Sequence, residues 1–320
     1  MKSRQAHRAA RIDDRYRLRV VADARSHNDT SRLRFAVLGP LRGWDDETEL
    51  ELGSPQQSAT LAALLLRGGH PATVGQLVDA VWGDAPPRTA VGTLRTYISR
   101  LRRVLRSGGG ERSDAARLDS VGDGYGLHLL DGALDLVVFE RVVAAAQADR
   151  AGGNLPAAAY RLRRALQMWR GVPLSGVPGP YAVQQRERLS ELRLAVLENR
   201  LDLDLELGHH ADLTGELMAL TSEYPLRERF REQLMLALYR SGRQAEALGV
   251  YQDIRRVLTD KLGIEPAAAL QDLHQRILTT DPGLMAESAR LRAPVLALSA
   301  PQPAVDIGDF AGRPYVGLPG

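Results

Sequence analysis

Two segments that lie 34 residues apart repeat one helical pattern and restrict what the C-terminal half of the chain can fold into. LGHHADLTGELMAL, 207–220, aligns with SGRQAEALGVYQDI, 241–254, on Gly208 and Gly242, and one alanine of each segment then coincides. A period of 34 with small residues where two helices cross is typical of stacked helical hairpins. Because a single hairpin cannot bury its apolar face, such repeats must pack on one another.

The repeat extends over a long, almost wholly helical region. Residues 135–280 are nearly all helical in pattern, and GGNLPAAAYRLRRAL, 152–166, is an earlier, degenerate copy. We therefore predict an all-α, tetratricopeptide-like domain. Stacked hairpins usually present a concave surface to a protein or peptide, although they can also serve as a spacer that only holds geometry.

The segment 88–106, in the N-terminal half, is predicted to be a helix with one apolar and one basic face. It carries six arginines and no acidic residue. Its apolar stripe has the spacing 4, 3, 4 of a packed helix face: Leu94, Ile98, Leu101 and Leu105. The opposite side carries the candidate DNA-contacting side chains Arg95, Thr96, Ser99, Arg100, Arg102 and Arg103.

The elements around this helix identify its role. The predicted order is strands at 33–39 and 48–52, helices from Ser54, from Thr73 and over 88–106, a flexible loop at 107–116, and a hairpin at 117–129 with its turn at Asp123-Gly124. A short sheet, three helices and a hairpin describe a winged helix-turn-helix, in which the third helix reads DNA and the hairpin is the wing. This context disfavours the alternative that the arginines form only a solvated face.

Charge is distributed unevenly along the chain. Residues 1–34 and 88–106 each carry +6, and since the whole chain carries +3, the remainder carries −9. Two basic blocks on an acidic body suit nucleic-acid contact in one part and protein contact in another.

Composition argues against several other classes of function. There is no cysteine, which excludes disulfides, thiol catalysis and zinc fingers and fits the cytoplasm. Aromatic residues are only 5%, too few for a single-strand binder that stacks bases. No apolar run is long enough for a bilayer, the glycines at 108–110 follow a helix rather than a strand, and no catalytic set is evident. We therefore expect no enzyme activity, cofactor, metal or membrane association.

These patterns predict a mainly α chain, in which an α+β winged helix-turn-helix precedes an all-α domain. The expected domains are a disordered basic arm at 1–31, a winged helix at 32–131, a helical domain at 132–283, and a linker or disordered tail at 284–320.

Five segments in order resemble the Streptomyces antibiotic regulatory protein family, which joins an OmpR-type winged helix to a bacterial transcriptional activation domain. They are LRFAVLGPL, LVDAVWGDAPP, TYISRLRRVL, LRERFREQLMLALYRSGRQAEALGVYQ and LGIEP, and the likeness covers about 33–283. The resemblance implies an activator of antibiotic biosynthetic gene clusters. It also implies double-stranded direct-repeat promoter sites bound by side-by-side protomers, and recruitment of RNA polymerase holoenzyme through the sigma factor region near the −35 element.

The resemblance also implies roles for single residues. Arg100 matches an arginine that reaches base edges, and Thr96 lies where a small side chain meets a thymine methyl. Arg102 and Thr93 match backbone-contacting positions, and Trp82 matches a tryptophan that lies against a phosphate.

The wing and the tail depart from the family pattern or extend it. SVGDGYG has no arginine before its Gly-Tyr, so Arg117 and Gly122 are expected to contribute phosphate or shape contacts rather than minor-groove reading. APQPAVDIGDFAGRP, 300–314, resembles the segment that leads into an ATPase domain in large family members. From this resemblance we expect either a naturally short form or a fragment of a longer regulator.

Two alternatives to an activator stay open on the sequence. One is a tetratricopeptide-type adaptor that binds no specific DNA, and the other is a repressor with the same domains.

Overall fold

The computed structural model describes residues 33–107 and 116–286. The predicted basic arm, most of the predicted loop at 107–116 and the tail from 287 lie outside these residues. The chain divides into two compact units. Among the described residues, the first unit contains those up to Val138 together with Arg170–Arg186. The second contains Phe139–Trp169 and the described residues from Glu187 to 286.

The first unit combines two small antiparallel sheets with three helices. Its elements are β1 (Leu33–Ala36), β2 (Arg42–Asp45), β3 (Thr48–Glu49), α1 (Pro55–Leu65), β4 (Ala72–Thr73), α2 (Val74–Trp82), α3 (Ala90–Ser107), β5 (Ala116–Val121) and β6 (Gly124–Leu129). One sheet has the order β1-β2-β3 and the other β4-β6-β5. This arrangement is a winged helix-turn-helix, as the sequence predicts.

Side-chain caps explain where the first two helices begin. The Ser54 hydroxyl accepts a hydrogen bond from the Gln57 backbone N–H at 3.3 Å, with Pro55 in the first turn of α1. Thr73 and Gln76 form a reciprocal capping box at α2, with both hydrogen bonds 3.1 Å long. Because the first helical N–H groups have no partner within the helix, these contacts fix both starts at the predicted residues.

The apolar stripe of α3 anchors it in the core. Leu94 and Leu101 are fully buried, and Ile98 and Leu105 are nearly so. Helices α1, α2 and α3 pack against one another. The opposite face of α3 is thereby turned outward.

Two segments that come after the wing in sequence complete the first unit. One of them is the segment directly after the wing, which contains Ala133 and Asp135. The Phe35 backbone N–H donates to the Ala133 carbonyl at 2.7 Å. The buried carboxyl of Asp135 accepts from the backbone N–H groups of Val37 at 2.9 Å and of Leu38 at 3.1 Å. Burial raises the pKa of Asp135 to about 7, although these N–H groups lower it.

The second part is the segment Arg170–Arg186. Arg170 and Leu174 donate backbone hydrogen bonds to the carbonyls of Leu38 and Val37, at 2.9 and 3.2 Å. Leu174 is fully buried although its φ is +52°, and Arg186 donates to its carbonyl. These contacts tie a segment from the helical half of the sequence to the strand-turn region after β1.

The second unit is all helical. The helices after the wing are α4 (Asp135–Ala151), α5 (Leu155–Leu166), α6 (Pro180–Glu206), α7 (His210–Glu223), α8 (Glu228–Arg240), α9 (Gln244–Leu262), α10 (Ala268–Leu278) and α11 (Gly283–Ala286). Helices α7, α9, α10 and α11 all pack against α8, whose residues 233–239 are buried throughout. Helix α8 is therefore the central helix of this group, with α10 and α11 packed on it as well as α7 and α9.

Buried ion pairs brace these helices. The Asp202 carboxylate, fully buried on α6, accepts from the Arg229 guanidinium at 2.7 Å and from the Gln233 amide at 2.6 Å. Both partners come from α8, so the contact joins α6 to α8. A fully buried carboxylate is stable in this position because it is paired and hydrogen-bonded.

Three local predictions differ from the structure. The strand expected at 48–52 is reduced to Thr48–Glu49. The wing turns at Gly122-Asp123, because Gly124 already pairs with Thr73 in the sheet. The tail expected from 284 begins with the helix Gly283–Ala286, in which Leu284 is buried in the apolar core of the second unit.

Among the residues that the structure describes, no helix combines the length and the apolar character needed to cross a membrane.

Candidate nucleic-acid interface

The outward face of α3 is basic along its length. Every side chain predicted for this face is exposed except that of Arg102, which is half-buried: Arg95, Thr96, Ser99, Arg100 and Arg103. Helix α3 carries no acidic residue, so no side chain of the helix itself offsets the positive charge of this face. A guanidinium stays charged at any physiological pH and offers five donors.

The N-terminal half of α3 is stiffened by local contacts. The Thr96 hydroxyl donates to the Gly92 carbonyl at 3.0 Å, and the residue is exposed. The Trp82 ring, half-buried at the end of α2, stacks on Tyr97 of α3 with 6.4 Å between ring centroids and 19° between planes. Trp82 therefore links α2 to α3. Thr93 is half-buried one turn before Tyr97, with its hydroxyl 3.5 Å from that of Thr89.

Arg102 points at the wing. Its Nε donates to the Leu118 carbonyl at 2.9 Å, and one Nη donates to the Ser120 hydroxyl, also at 2.9 Å. Its guanidinium carbon lies 5.7 Å from the centre of the Tyr125 ring. The sequence places Arg102 on the basic face but gives no indication of these three wing partners, because they depend on how the hairpin packs on α3.

The rest of the wing is exposed. The Arg117 side chain is 75% exposed, and its Nε lies 2.5 Å from an Asp119 carboxylate oxygen. Gly122 forms the tip of the hairpin with a φ of +58° and open space around it. A left-handed φ favours glycine, so Gly122 is explained by the turn itself.

One glycine that the sequence assigned to the turn has a different role. A Cβ on Gly124 would lie 2.0 Å from the Ala72 carbonyl oxygen, so only glycine lets β6 approach β4 this closely. The Val74 backbone N–H also donates to the Asp123 carbonyl at 3.2 Å. The tip of the wing is thus fixed to the start of α2.

The arrangement suits contact with a polyanion. An exposed helix with a row of arginines can enter a major groove, while a hairpin beside it can meet the flanking backbone. Within residues 33–107 and 116–286, no cluster of three or more His, Asp or Glu side chains is arranged to hold a metal ion.

Two family models match the chain. Residues 47–125 match the C-terminal domain of transcriptional regulatory proteins, and residues 134–278 match the bacterial transcriptional activator domain.

Curated relatives match over most of the chain. The regulatory protein AfsR of Streptomyces coelicolor is 52% identical over 287 residues, which are 89% of this chain and 28% of AfsR. The chain thus spans less than a third of that relative. The regulatory protein DnrI of Streptomyces peucetius is 37% identical over 256 residues, covering 79% of this chain and 94% of DnrI.

A solved structure shares the fold. Mycobacterium tuberculosis EmbR, in complex with a low-affinity phosphopeptide, superposes with a TM-score of 0.74 and 31% identity. The match covers 81% of this chain and 69% of the EmbR chain.

Proposed function

The chain belongs to the Streptomyces antibiotic regulatory protein family of transcriptional regulators, and from this premise we propose that it binds promoter DNA sequence-specifically and activates an antibiotic biosynthetic gene cluster. The observation that carries the proposal is the outward face of α3, which exposes arginines with no acidic residue among them. The relatives of this chain are named as regulators, so we propose that the protein is not an enzyme. We also propose that it is located in the cytoplasm, where it has access to promoter DNA.

In the proposed complex α3 lies in the major groove. Arg100 pairs with guanine O6 and N7, a contact worth roughly 1–3 kcal/mol of discrimination against other bases. Thr96 presents its methyl to a thymine, and Ser99 lies on the same exposed face. Arg95 and Arg103 neutralise phosphates and set the position of the helix.

The remaining contacts concern assembly. Two protomers lie side by side on a direct repeat, and the wing meets the backbone through Arg117 and the tip at Gly122. The helical unit recruits RNA polymerase holoenzyme through the sigma factor region near the −35 element. Because α8 is buried among α7, α9, α10 and α11, we place that contact on exposed faces of the surrounding helices.

DNA recognition is tested by fluorescence anisotropy across a salt series. The probes are a direct-repeat duplex selected from a randomised library and a scrambled duplex of the same composition. We expect a preference of about a thousandfold, and if about six phosphates are neutralised, a slope of log K against log salt near −5. Arg100→Ala should lose preference at one base position.

Arg256→Ala is the matched control, since it removes the same charge from an exposed position in the second unit. Equal binding of both duplexes, or no binding at all, would support the adaptor alternative instead. Transcription in vitro with RNA polymerase holoenzyme then separates activator from repressor: transcript from the selected promoter rises for the first and falls for the second.

A further inference from the structure

One side chain of the reader helix, Arg102, forms hydrogen bonds with the edge of the wing. In the order β4-β6-β5, strand β5 is one of the two edge strands, and among the described residues it pairs with β6 alone. The opposite side of the sheet is fixed by the β4–β6 pairing and by the close approach at Gly124. Arg102 reaches from α3 to β5 itself, through the Leu118 carbonyl and the Ser120 hydroxyl.

The register of the hairpin puts two of the groups that Arg102 contacts, the Ser120 hydroxyl and the Tyr125 ring, on one face of the sheet. Ser120 is directly opposite Tyr125, and Leu118 is directly opposite Leu127. Partners across the ladder share a face, so the Ser120 side chain and the Tyr125 ring lie on the same side of the sheet. The Leu118 carbonyl is a backbone group two residues earlier on the same edge strand. The planar guanidinium therefore spans two acceptors on β5 while lying over an aromatic ring on β6.

This geometry needs an arginine. A guanidinium offers several donors in a fixed plane and stacks on aromatic rings, whereas a lysine ammonium offers a point charge on a flexible stem. The neighbours on α3 behave differently: Arg95 and Arg100 are exposed and make no hydrogen bond or ion pair within residues 33–107 and 116–286. Arg102 is thus turned to the wing while they are turned to solvent.

We propose that Arg102 is a positioning residue that holds the β5 edge of the wing against α3, rather than a contact to DNA phosphate. We call the contact of Arg102 with Leu118 and Ser120 the clamp. It sets a fixed distance between the reader helix and the wing, so that both can contact one DNA duplex at the same time. Its importance for DNA rests on the proposed function, but the clamp itself is a property of the free protein.

The first test uses no DNA. Hydrogen exchange is measured by mass spectrometry on the full chain with Arg102→Gln, and with Arg95→Gln as the matched control. We expect peptides from 116–121 to exchange about fivefold to tenfold faster in Arg102→Gln and to be unchanged in Arg95→Gln. This is the effect of losing about one net hydrogen bond, because one of the two Arg102 contacts is half-buried and the other is exposed to solvent. Unchanged exchange in both variants would overturn the proposal.

Arg102→Lys separates positioning from charge. It keeps a cation near the phosphates but loses the planar fork. If Arg102 is a positioning residue, Arg102→Lys should weaken binding to the selected duplex about as much as Arg102→Gln does. Retention of wild-type affinity by Arg102→Lys would instead identify a phosphate contact.

A double-mutant cycle with Ser120→Ala completes the test. If Arg102 acts through Ser120, then Ser120→Ala should lower DNA affinity severalfold in the native background and have almost no effect beside Arg102→Gln. Equal effects in the two backgrounds would contradict the clamp. Should the chain bind neither duplex, the proposed function fails while the exchange measurement still decides whether the clamp exists.

Discussion

Asp135 makes the stability of the first unit depend on pH. Its carboxyl is 3% exposed, and its folded-state pKa of about 7 lies above the value near 3.9 expected in the unfolded chain. Between these values the folded state binds more protons than the unfolded state, so stability is full below pH 4 and is lost as pH rises through 7.

The size of the effect follows from the two pKa values. Where the folded state binds one proton more than the unfolded state, stability falls by about 1.36 kcal/mol for each unit of pH. Asp135 therefore contributes about 2.5 kcal/mol less to the free energy of unfolding at pH 8 than at pH 5. Asp135→Asn removes this titration. Its amide can accept from Val37, but its NH2 group faces the Leu38 N–H, which costs about 1–3 kcal/mol at every pH.

Urea unfolding at pH 5 and pH 8 measures the difference in stability between the native protein and Asp135→Asn. In a Trp169→Phe background the remaining tryptophans, Trp44 and Trp82, both report on the first unit. Native protein should exceed Asp135→Asn in stability at pH 5, and the gap should narrow or reverse by pH 8. Asp84→Asn, at an exposed position, is the control for the charge change. A gap that does not change with pH would refute the desolvation argument.

Two further substitutions test packing, one in each unit. Leu174→Ala should lower the free energy of unfolding of the first unit by about 2–5 kcal/mol, because it removes a fully buried side chain. The control Val172→Ala, at a position that is 56% exposed in the same segment, should change it by less than about 0.5 kcal/mol. Asp202→Ala should lower the free energy of unfolding of the second unit by about 3–5 kcal/mol, because it leaves the partly buried Arg229 charge without its main partner. The unfolding is measured by Trp169 fluorescence. An effect below about 1 kcal/mol would mean that Glu232 alone satisfies this arginine.

Periodic features of the sequence predicted their structures well. The 4, 3, 4 spacing of Leu94, Ile98, Leu101 and Leu105 placed α3 and its exposed face correctly, because a helix repeats its surface every few residues. Ser54 and Thr73 located two helix starts, because capping is a local interaction. The sequence therefore indicated both the winged helix and its basic surface.

Features that depend on distant partners were not predictable in this way. Strand β2 and strand β4 contain four and two residues, too few for an alternating pattern to be recognised. Gly124 looked like a turn residue, but its role is to admit the Ala72 carbonyl from a different strand. Arg102 looked like its neighbours on α3, and only the packing of the hairpin distinguishes it. In each case the deciding contact crosses many residues of sequence.

The segment Arg170–Arg186 bears on how the protein folds during its synthesis. The strands and helices of the winged helix are complete in sequence by Leu129. The carbonyls of Val37 and Leu38, however, receive their hydrogen bonds only when Leu174 and Arg170 have been synthesised. A nascent chain that has just released its wing from the ribosome therefore lacks part of its own first unit. About 45 further residues must emerge before it can close, which at bacterial elongation rates is a delay of several seconds. During that interval the reader helix is already present on a first unit that still lacks these two backbone hydrogen bonds.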